Sequence, residues 1–173
     1  EQIPLLKQCG GNTRFLWNFL LNIQKEYYGD NKTYLSAYDL NYFLPILKKT
    51  EGFEFLNNSF SQSLCCVSEN MKKAIDKSYS KKIIQERKKA IAKANLEQNE
   101  IFKNIRLAKA YNLGKLKFKK KSNYSDSFCV QSSFKIKKSR LYIPKIGWID
   151  YVKHRPLEGK PKNITISQNG NNW

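Results

Sequence analysis

Hydrophobic residues recur at helical spacing through the first third of the chain. Leu16, Leu20 and Ile23 follow one another at intervals of four and three residues, which predicts an amphipathic helix. The preceding Gly-Gly-Asn at 10–12 should end a shorter first helix and provide Asn12 as the N-cap of the second. Two short helices around such a turn suit a helix-turn-helix, although a plain helical bundle fits the same pattern and is commoner, so we favour the bundle.

Two capping boxes predict where further helices begin. Ser36 and Asp39 have the required spacing ahead of a hydrophobic stretch over 40–47, in which Pro45 should kink or restart the helix. Ser59 and Gln62 repeat the motif before the strongest hydrophobic stripe in the chain. That stripe consists of Phe60, Leu64, Val67, Met71 and Ala74 or Ile75.

From residue 72 the pattern stays helical but becomes strongly polar. The apolar stripe over 72–113 is thin and flanked by lysines, which is typical of a helix beside a basic groove or of a solvated spacer. Gly114 is a candidate helix stop. Residues 115–121 then alternate lysine with apolar residues around Phe118, which suits an extended strand along a phosphate backbone, or else a charged linker.

After residue 123 the hydrophobic period changes to two, which predicts short β-strands separated by turns. The alternating pairs are Phe134 and Ile136, Leu141 and Ile143, Ile149 and Tyr151, and Ile164 and Ile166. Strands at this spacing suggest a small OB-like barrel. Because Asn169-Gly170 is a hairpin signal close to the last residue, we expect the barrel to be incomplete and the chain to be part of a longer protein or a truncated reading frame.

These patterns together predict an α+β fold. An N-terminal helical bundle with a helix-turn-helix-like start should occupy residues 1–121, with a basic helical insertion at about 80–112. The incomplete OB-like barrel should occupy residues 122–173.

The charge of the chain is its strongest compositional feature. Among 173 residues, 32 Lys and Arg oppose 14 Asp and Glu, for a net charge of +18. Residues 1–71 carry a net charge of −1, residues 72–121 of +13, and residues 122–173 of +6. A field of this kind favours a polyanion, because each neutralised phosphate releases a condensed counterion, and it offers nothing to a small-molecule substrate. Nucleic acid is therefore the predicted partner.

Candidate catalytic and metal-ligating residues are scarce. The four cysteines have no C-x-x-C spacing and the only histidine is His154, so we expect free thiols in a reducing cytoplasm rather than structural zinc. The carboxylates are scattered, and no P-loop or dinucleotide motif is present. No segment resembles a signal peptide or a membrane span. The sequence predicts binding machinery without catalytic residues and without metal ligands.

Several blocks, taken in order, resemble the N-terminal half of the OrfB/TnpB family of insertion-sequence transposases. They are RFLWNF at 14–19, KEYY at 25–28, LSAYDL at 35–40, the capped helix at 59, FKKK at 118–121, DSF at 126–128, RLYIPKIGW at 140–148 and HRPLEG at 154–159. The resemblance covers nearly the whole chain except the insertion at about 80–112.

Members of that family are RNA-guided DNA endonucleases related to the type V CRISPR effectors. The resemblance implies that residues 1–121 correspond to the helical recognition lobe and residues 122–173 to most of the wedge β-barrel, which hold guide RNA and double-stranded target DNA. The RuvC-like nuclease with its magnesium, and the zinc ribbon, have no counterpart here, so no cofactor is expected in this chain. One departure is Cys65-Cys66, where the family commonly carries a polar pair. If that pair contacts DNA in relatives, the departure implies that motif recognition is altered or lost here.

The resemblance also selects the basic residues expected to contact phosphates. They are Lys72, Lys73 and Lys77 on the capped helix, Lys117, Lys119, Lys120 and Lys121 after it, and Arg140, Lys145, His154 and Arg155 in the wedge. Tyr38 and Tyr42 are four residues apart and could stack on bases, but we favour core packing for both.

Three functions remain open from the sequence. The first is the recognition and wedge part of an RNA-guided nuclease, which would bind RNA and duplex DNA without cutting. The second is a stand-alone helix-turn-helix DNA-binding protein. The third is a non-functional remnant of an insertion sequence.

Overall fold

A computed structural model describes residues 2–121, 126–170 and 173, and it has the predicted α+β composition. Within these residues, five helices and one 3-10 turn precede five strands. The helical elements are α1 (Ile3–Asn31), α2 (Ala37–Leu47), the 3-10 turn Glu54–Asn58, α3 (Ser61–Ser78), α4 (Lys81–Asn95) and α5 (Glu100–Tyr111). The strands are β1 (Ser127–Gln131), β2 (Lys135–Lys137), β3 (Arg140–Ile143), β4 (Gly147–Asp150) and β5 (Asn163–Ser167).

The chain forms two compact units. The first comprises Glu1–Asn70 and Phe118–Trp173, and the second comprises Met71–Lys117. The predicted division at residues 121 and 122 stays a prediction.

The first helix is continuous, so the expected break at Gly10-Gly11-Asn12 is wrong. α1 has 29 residues and a length of about 43 Å. Asn12 is not an N-cap but a buried residue within the helix, and its Nδ2 donates to Ser59 Oγ at 2.8 Å and to the Phe55 carbonyl at 3.1 Å. Gly10-Gly11 is tolerated within the helix because tertiary packing on both sides of it holds the helix together.

The reason for a glycine at position 10 is the close approach of another segment. A Cβ built on Gly10 would lie 2.7 Å from the Asp126 Cβ and 2.8 Å from Cη2 of Trp173. Next to it, Thr13 Oγ1 donates to the Gly10 and Ser127 carbonyls, at 2.8 Å each. Arg14 also forms a partly buried ion pair with Asp126. α1 and the residue that precedes β1 are thus fixed side by side.

The connection between α1 and α2 depends on one buried amide. Gln24 is 1% exposed, and its Nε2 donates to the Leu35 carbonyl at 2.8 Å while its Oε1 accepts from the Leu35 N–H at 2.9 Å. The predicted capping box of α2 is confirmed, because Ser36 Oγ accepts from the Asp39 N–H and the Asp39 carboxylate accepts from the Ser36 N–H. Pro45 lies inside α2, which ends two residues later at Leu47.

The second predicted capping box does not form. Helix α3 begins at Ser61, and Ser59 Oγ accepts from Asn12 instead of capping the helix. Gln62 accepts from Ser132 Oγ at 2.8 Å. The hydrophobic stripe of α3 is confirmed, because Leu64, Val67, Met71 and Ile75 are all buried.

The strands form two small antiparallel sheets among the described residues. β1 pairs with β5, so that Phe128 lies opposite Ile166, while β2, β3 and β4 form a meander. Side chains of both sheets pack against the N-terminal half of α1 in a core of Leu6, Cys9, Phe128, Val130, Ile143 and Ile146. The four predicted strand regions are confirmed, with Phe134 falling just before β2 and Tyr151 just after β4. Sequence analysis did not predict β1, and closure into an OB-like barrel stays a prediction.

The second unit contains a helical hairpin. α4 and α5 pack together, with Ala94 and Ala110 buried. Gly114 has a φ of +77°, and a Cβ there would lie 2.4 Å from Cγ2 of Ile83, so both conformation and space require glycine. The guanidinium of Arg87 donates to the Leu113 carbonyl at 2.7 and 3.2 Å. The strand expected over 115–121 does not form, because residues 115–120 have no regular secondary structure.

Two alanine substitutions in α1 test the close approach at Gly10. We expect Gly10→Ala to lower the free energy of unfolding by about 1–3 kcal/mol, because the new Cβ overlaps Asp126 and Trp173. Gly11→Ala is the matched control: nothing lies within 4 Å of its Cβ position, so it should raise stability by about 0.5–1 kcal/mol. Urea denaturation followed by circular dichroism measures both, and stabilisation by Gly10→Ala would contradict the packing described.

Candidate nucleic-acid interface

The second unit, Met71–Lys117, carries much of the positive charge. It contains fourteen Lys and Arg against four Asp and Glu, a net charge of +10 over 47 residues. Lys72 pairs with Asp76 at 2.5 Å, Arg106 with Glu97 at 2.5 Å, and Lys103 with Glu100 at 3.5 Å. Those pairs engage three of the four carboxylates, so the excess charge resides mainly on other side chains.

Helix α4 carries an exposed row of lysines. Sequence analysis predicted only that this helix lies beside a basic groove or is a solvated spacer, and it did not select these residues as contacts. These side chains are Lys81, Lys82, Lys88, Lys89 and Lys93, and within the described part of the chain none of them forms a salt bridge. The opposite side of α4, with Ile83, Arg87 and Ala94, is at least partly buried. The helical period therefore places the lysines on the solvent face.

The three predicted residues of α3 lie together on its last two turns. Lys72, Lys73 and Lys77 are all exposed, and Lys72 forms the ion pair with Asp76. An exposed pair of this kind contributes little to stability, so a phosphate can compete with Asp76 for the lysine.

The predicted lysines at 117–121 are in different environments. Lys119 is bound to α1: its N–H donates to Asn18 Oδ1 at 2.7 Å, and its Nζ lies 4.3 Å from the centre of the Trp17 ring. Lys117, Lys120 and Lys121 are exposed. Lys25 Nζ lies 4.0 Å from the centre of the Phe118 ring, which gives this segment another cation on an aromatic face.

The predicted wedge residues also differ in their partners. Arg140 donates from Nε to Asp150 at 2.8 Å, and Lys145 donates from Nζ to the Asn57 carbonyl. His154 and Arg155 are exposed in the irregular segment after β4. Of these four residues, Arg140 is the one with an acidic partner among the described residues.

The two tyrosines of α2 are exposed, so the favoured interpretation of core packing is wrong. Tyr38 is 80% exposed and Tyr42 is 69% exposed, and Ile46, one turn further on, is 54% exposed. The core is instead filled by Leu40, Leu44 and Leu47 on the other side of the helix. Because both the leucine face and the tyrosine face of α2 are apolar, the sequence pattern does not show which of the two is buried.

The four cysteines are free, as predicted. Burial raises the pKa of the Cys9 and Cys65 thiols. Burial, followed by the neighbouring Cys129 thiol, raises the pKa of Cys66 to about 12. These three thiols are therefore protonated at neutral pH and are poor nucleophiles.

Neither a metal cluster nor a membrane span is found in the part of the chain that the structure describes. Over residues 2–121, 126–170 and 173, no group of three or more His, Cys, Asp or Glu side chains could hold a metal ion. None of the described helices has the length and hydropathy needed to cross a bilayer.

Comparison with known proteins supplies two similarities. Residues 1–33, which comprise α1 and its C-terminal cap, match the family model HTH_OrfB_IS605, described as a helix-turn-helix domain. The chain is also 36% identical over 56 residues to a protein of Escherichia coli (strain K12) named "Putative RNA-guided DNA endonuclease InsQ". The aligned segment covers 31% of this chain and 14% of that protein.

Truncation of the exposed tyrosines should leave the stability of the fold unchanged. We expect Tyr38→Ala and Tyr42→Ala each to alter the free energy of unfolding by less than about 0.5 kcal/mol, because both side chains are mostly in water. Leu40→Ala, on the buried side of the same helix, should lower it by about 2–5 kcal/mol. Denaturant titration of the three variants measures these changes. A loss of more than about 1.5 kcal/mol in the free energy of unfolding for either tyrosine variant would show that the tyrosine packs in the core after all.

Proposed function

We propose that this chain, whose resemblance to the OrfB/TnpB family is supported by both comparisons, is the nucleic-acid-binding part of a TnpB-like RNA-guided DNA endonuclease. It binds the scaffold of a guide RNA and the duplex DNA target in the cytoplasm. The nuclease chemistry, with its metal ions, belongs to the RuvC-like part of the family. The observation that carries the proposal is the net charge of +13 over residues 72–121, most of it on exposed lysines.

The exposed lysines suit backbone contact because they are long, flexible and largely free of acidic partners. Each phosphate that a lysine neutralises releases about 0.9 counterion from duplex DNA, so affinity should fall steeply as salt rises. The exposed Tyr38 and Tyr42 offer flat aromatic surfaces for unpaired bases, which is how single-stranded RNA is commonly bound. The predicted phosphate contacts, from Lys72 to Arg155, are part of this proposal.

A stand-alone helix-turn-helix DNA-binding protein is the second candidate, favoured by the description of the family model over residues 1–33. The two functions differ in their need for RNA. A stand-alone DNA-binding protein recognises a specific duplex without RNA, and substitutions within residues 12–28 should then matter more than those at Lys119, Lys120 and Lys121.

The first test is to purify the chain from its host at moderate salt and sequence the RNA that accompanies it. We expect one RNA, encoded at the end of its own mobile element, to be enriched over all others at moderate salt. Random RNA, with no enriched species, would contradict the scaffold-binding function. Specific binding to duplex DNA after nuclease treatment would establish the second candidate in its place.

Three lysines of α3 provide a quantitative test with that RNA. We expect replacement of Lys72, Lys73 and Lys77 by glutamine to reduce the slope of log K against log salt by about two to three units. The control is the triple replacement of Lys135, Lys137 and Lys138, three exposed lysines with the same total charge that are not proposed contacts. Equal effects of the two triples would show that net charge alone, and no defined surface, holds the RNA.

A further inference from the structure

A small cleft in the first unit is lined by basic and neutral polar side chains together with Leu44, Pro45 and Cys65. It lies between the C-terminal end of α2, the 3-10 turn and the start of α3, and has a volume of about 430 Å³. Its polar lining comes from Asn41, Lys48, Lys49, Asn57 and Ser61. None of the residues that line it is acidic.

Lys48 is held in the wall of this cleft by a short hydrogen-bond network. Its Nζ donates to Ser61 Oγ at 2.8 Å, and its carbonyl accepts from Asn57 Nδ2 at 3.0 Å. Asn57 also accepts, through its own carbonyl, from Nζ of Lys145 in the turn between β3 and β4. One asparagine therefore connects two lysines that are 97 positions apart in the sequence.

The two ammonium groups are close enough to repel each other. Burial, and then the positive charge of Lys145, lowers the pKa of Lys48. Within the described residues neither lysine forms a salt bridge. Proteins normally place a carboxylate near a partly desolvated lysine, because uncompensated charge is costly to bury. An arrangement of two lysines with no counter-charge instead lowers the energy of an incoming anion.

We infer that this cleft binds one phosphate group, held by Lys48 and the Ser61 hydroxyl of its lining and by Lys145, whose ammonium group contacts the lining residue Asn57. Asn41 lines the same cleft, and its Oδ1 is buried without a hydrogen-bond partner among the described residues, so the amide can turn over to present Nδ2. Resting on the proposed function, the phosphate is a backbone phosphodiester of the bound nucleic acid. Of the two lysines, sequence analysis identified Lys145 alone.

Inorganic phosphate is the first probe, and it tests the cleft without nucleic acid. The Lys48 side chain is followed by carbon-13 NMR as pH is varied, with and without phosphate. Phosphate in the cleft should raise the pKa of Lys48, since the anion stabilises the charged form. Lys145→Gln should also raise that pKa in the absence of phosphate, because it removes the repelling charge, and it should abolish the response to phosphate. No response to phosphate in the wild-type protein would overturn the inference.

Nucleic acid is the second probe, with RNA hairpin and duplex DNA as separate arms. Lys48→Gln and Lys145→Gln should each weaken binding to one of these two nucleic acids about tenfold. Each should also reduce the slope of log K against log salt for that nucleic acid by about 0.9. The double variant should lose less than the product of the two effects, because both lysines face the same phosphate. Lys7→Gln, an exposed lysine outside the cleft, should change binding less than twofold.

Controls separate a binding role from a structural one. Lys48→Arg keeps the charge and should restore most of the affinity that Lys48→Gln loses. Wild-type protein that binds neither nucleic acid, yet shows the phosphate response, would refute the proposed function and leave the cleft as a free-phosphate site. If Lys48→Gln and Lys7→Gln weaken both arms equally while each variant unfolds at the wild-type denaturant concentration, the cleft does not hold a backbone phosphate.

Discussion

The contact between α1 and the entry to β1 organises the whole first unit. Gly10 permits it sterically, Thr13 fixes its register through the Ser127 carbonyl, and Arg14 neutralises the Asp126 carboxylate beside it. With β1 fixed in this way, Phe128 and Val130 reach the core beside Leu6. The pairing of β1 with β5 then sets where the last described strand lies.

Four lysines of the first unit are oriented by neutral partners. Lys119 lies over Trp17, Lys25 over Phe118, Lys145 on a backbone carbonyl and Lys48 on a serine hydroxyl. Such partners restrict the direction of an ammonium group without cancelling its charge, whereas a carboxylate would do both. The unit therefore combines an ordered basic surface with a positive potential that a polyanion can use.

Sequence reasoning succeeded where the determining interaction is local and failed where it is distant. Ser36 caps α2 because its partner is three residues away, but Ser59 is taken by Asn12, 47 residues earlier. Glycine at position 10 indicated a break because its true cause, Asp126, lies 116 residues further on. Tyr38 and Tyr42 share an apolar helix with a leucine face, and no one-dimensional pattern distinguishes the two faces. The candidate cleft was missed for the same reason, since Lys48 and Lys145 meet only in the folded chain.

The backbone conformation of the turn after β3 affects one of these basic residues, Lys145. Lys145 has a φ of +68°, a left-handed conformation that costs a residue with a Cβ about 1–2 kcal/mol and costs glycine almost nothing. A sequence chosen for folding alone would place glycine there, as it does two residues later at Gly147, whose φ is +93°. Lysine at this turn accepts the cost of a left-handed backbone and places a cation at a fixed point. Thermostabilising redesign of the chain would select this position early and would remove that cation with the strain.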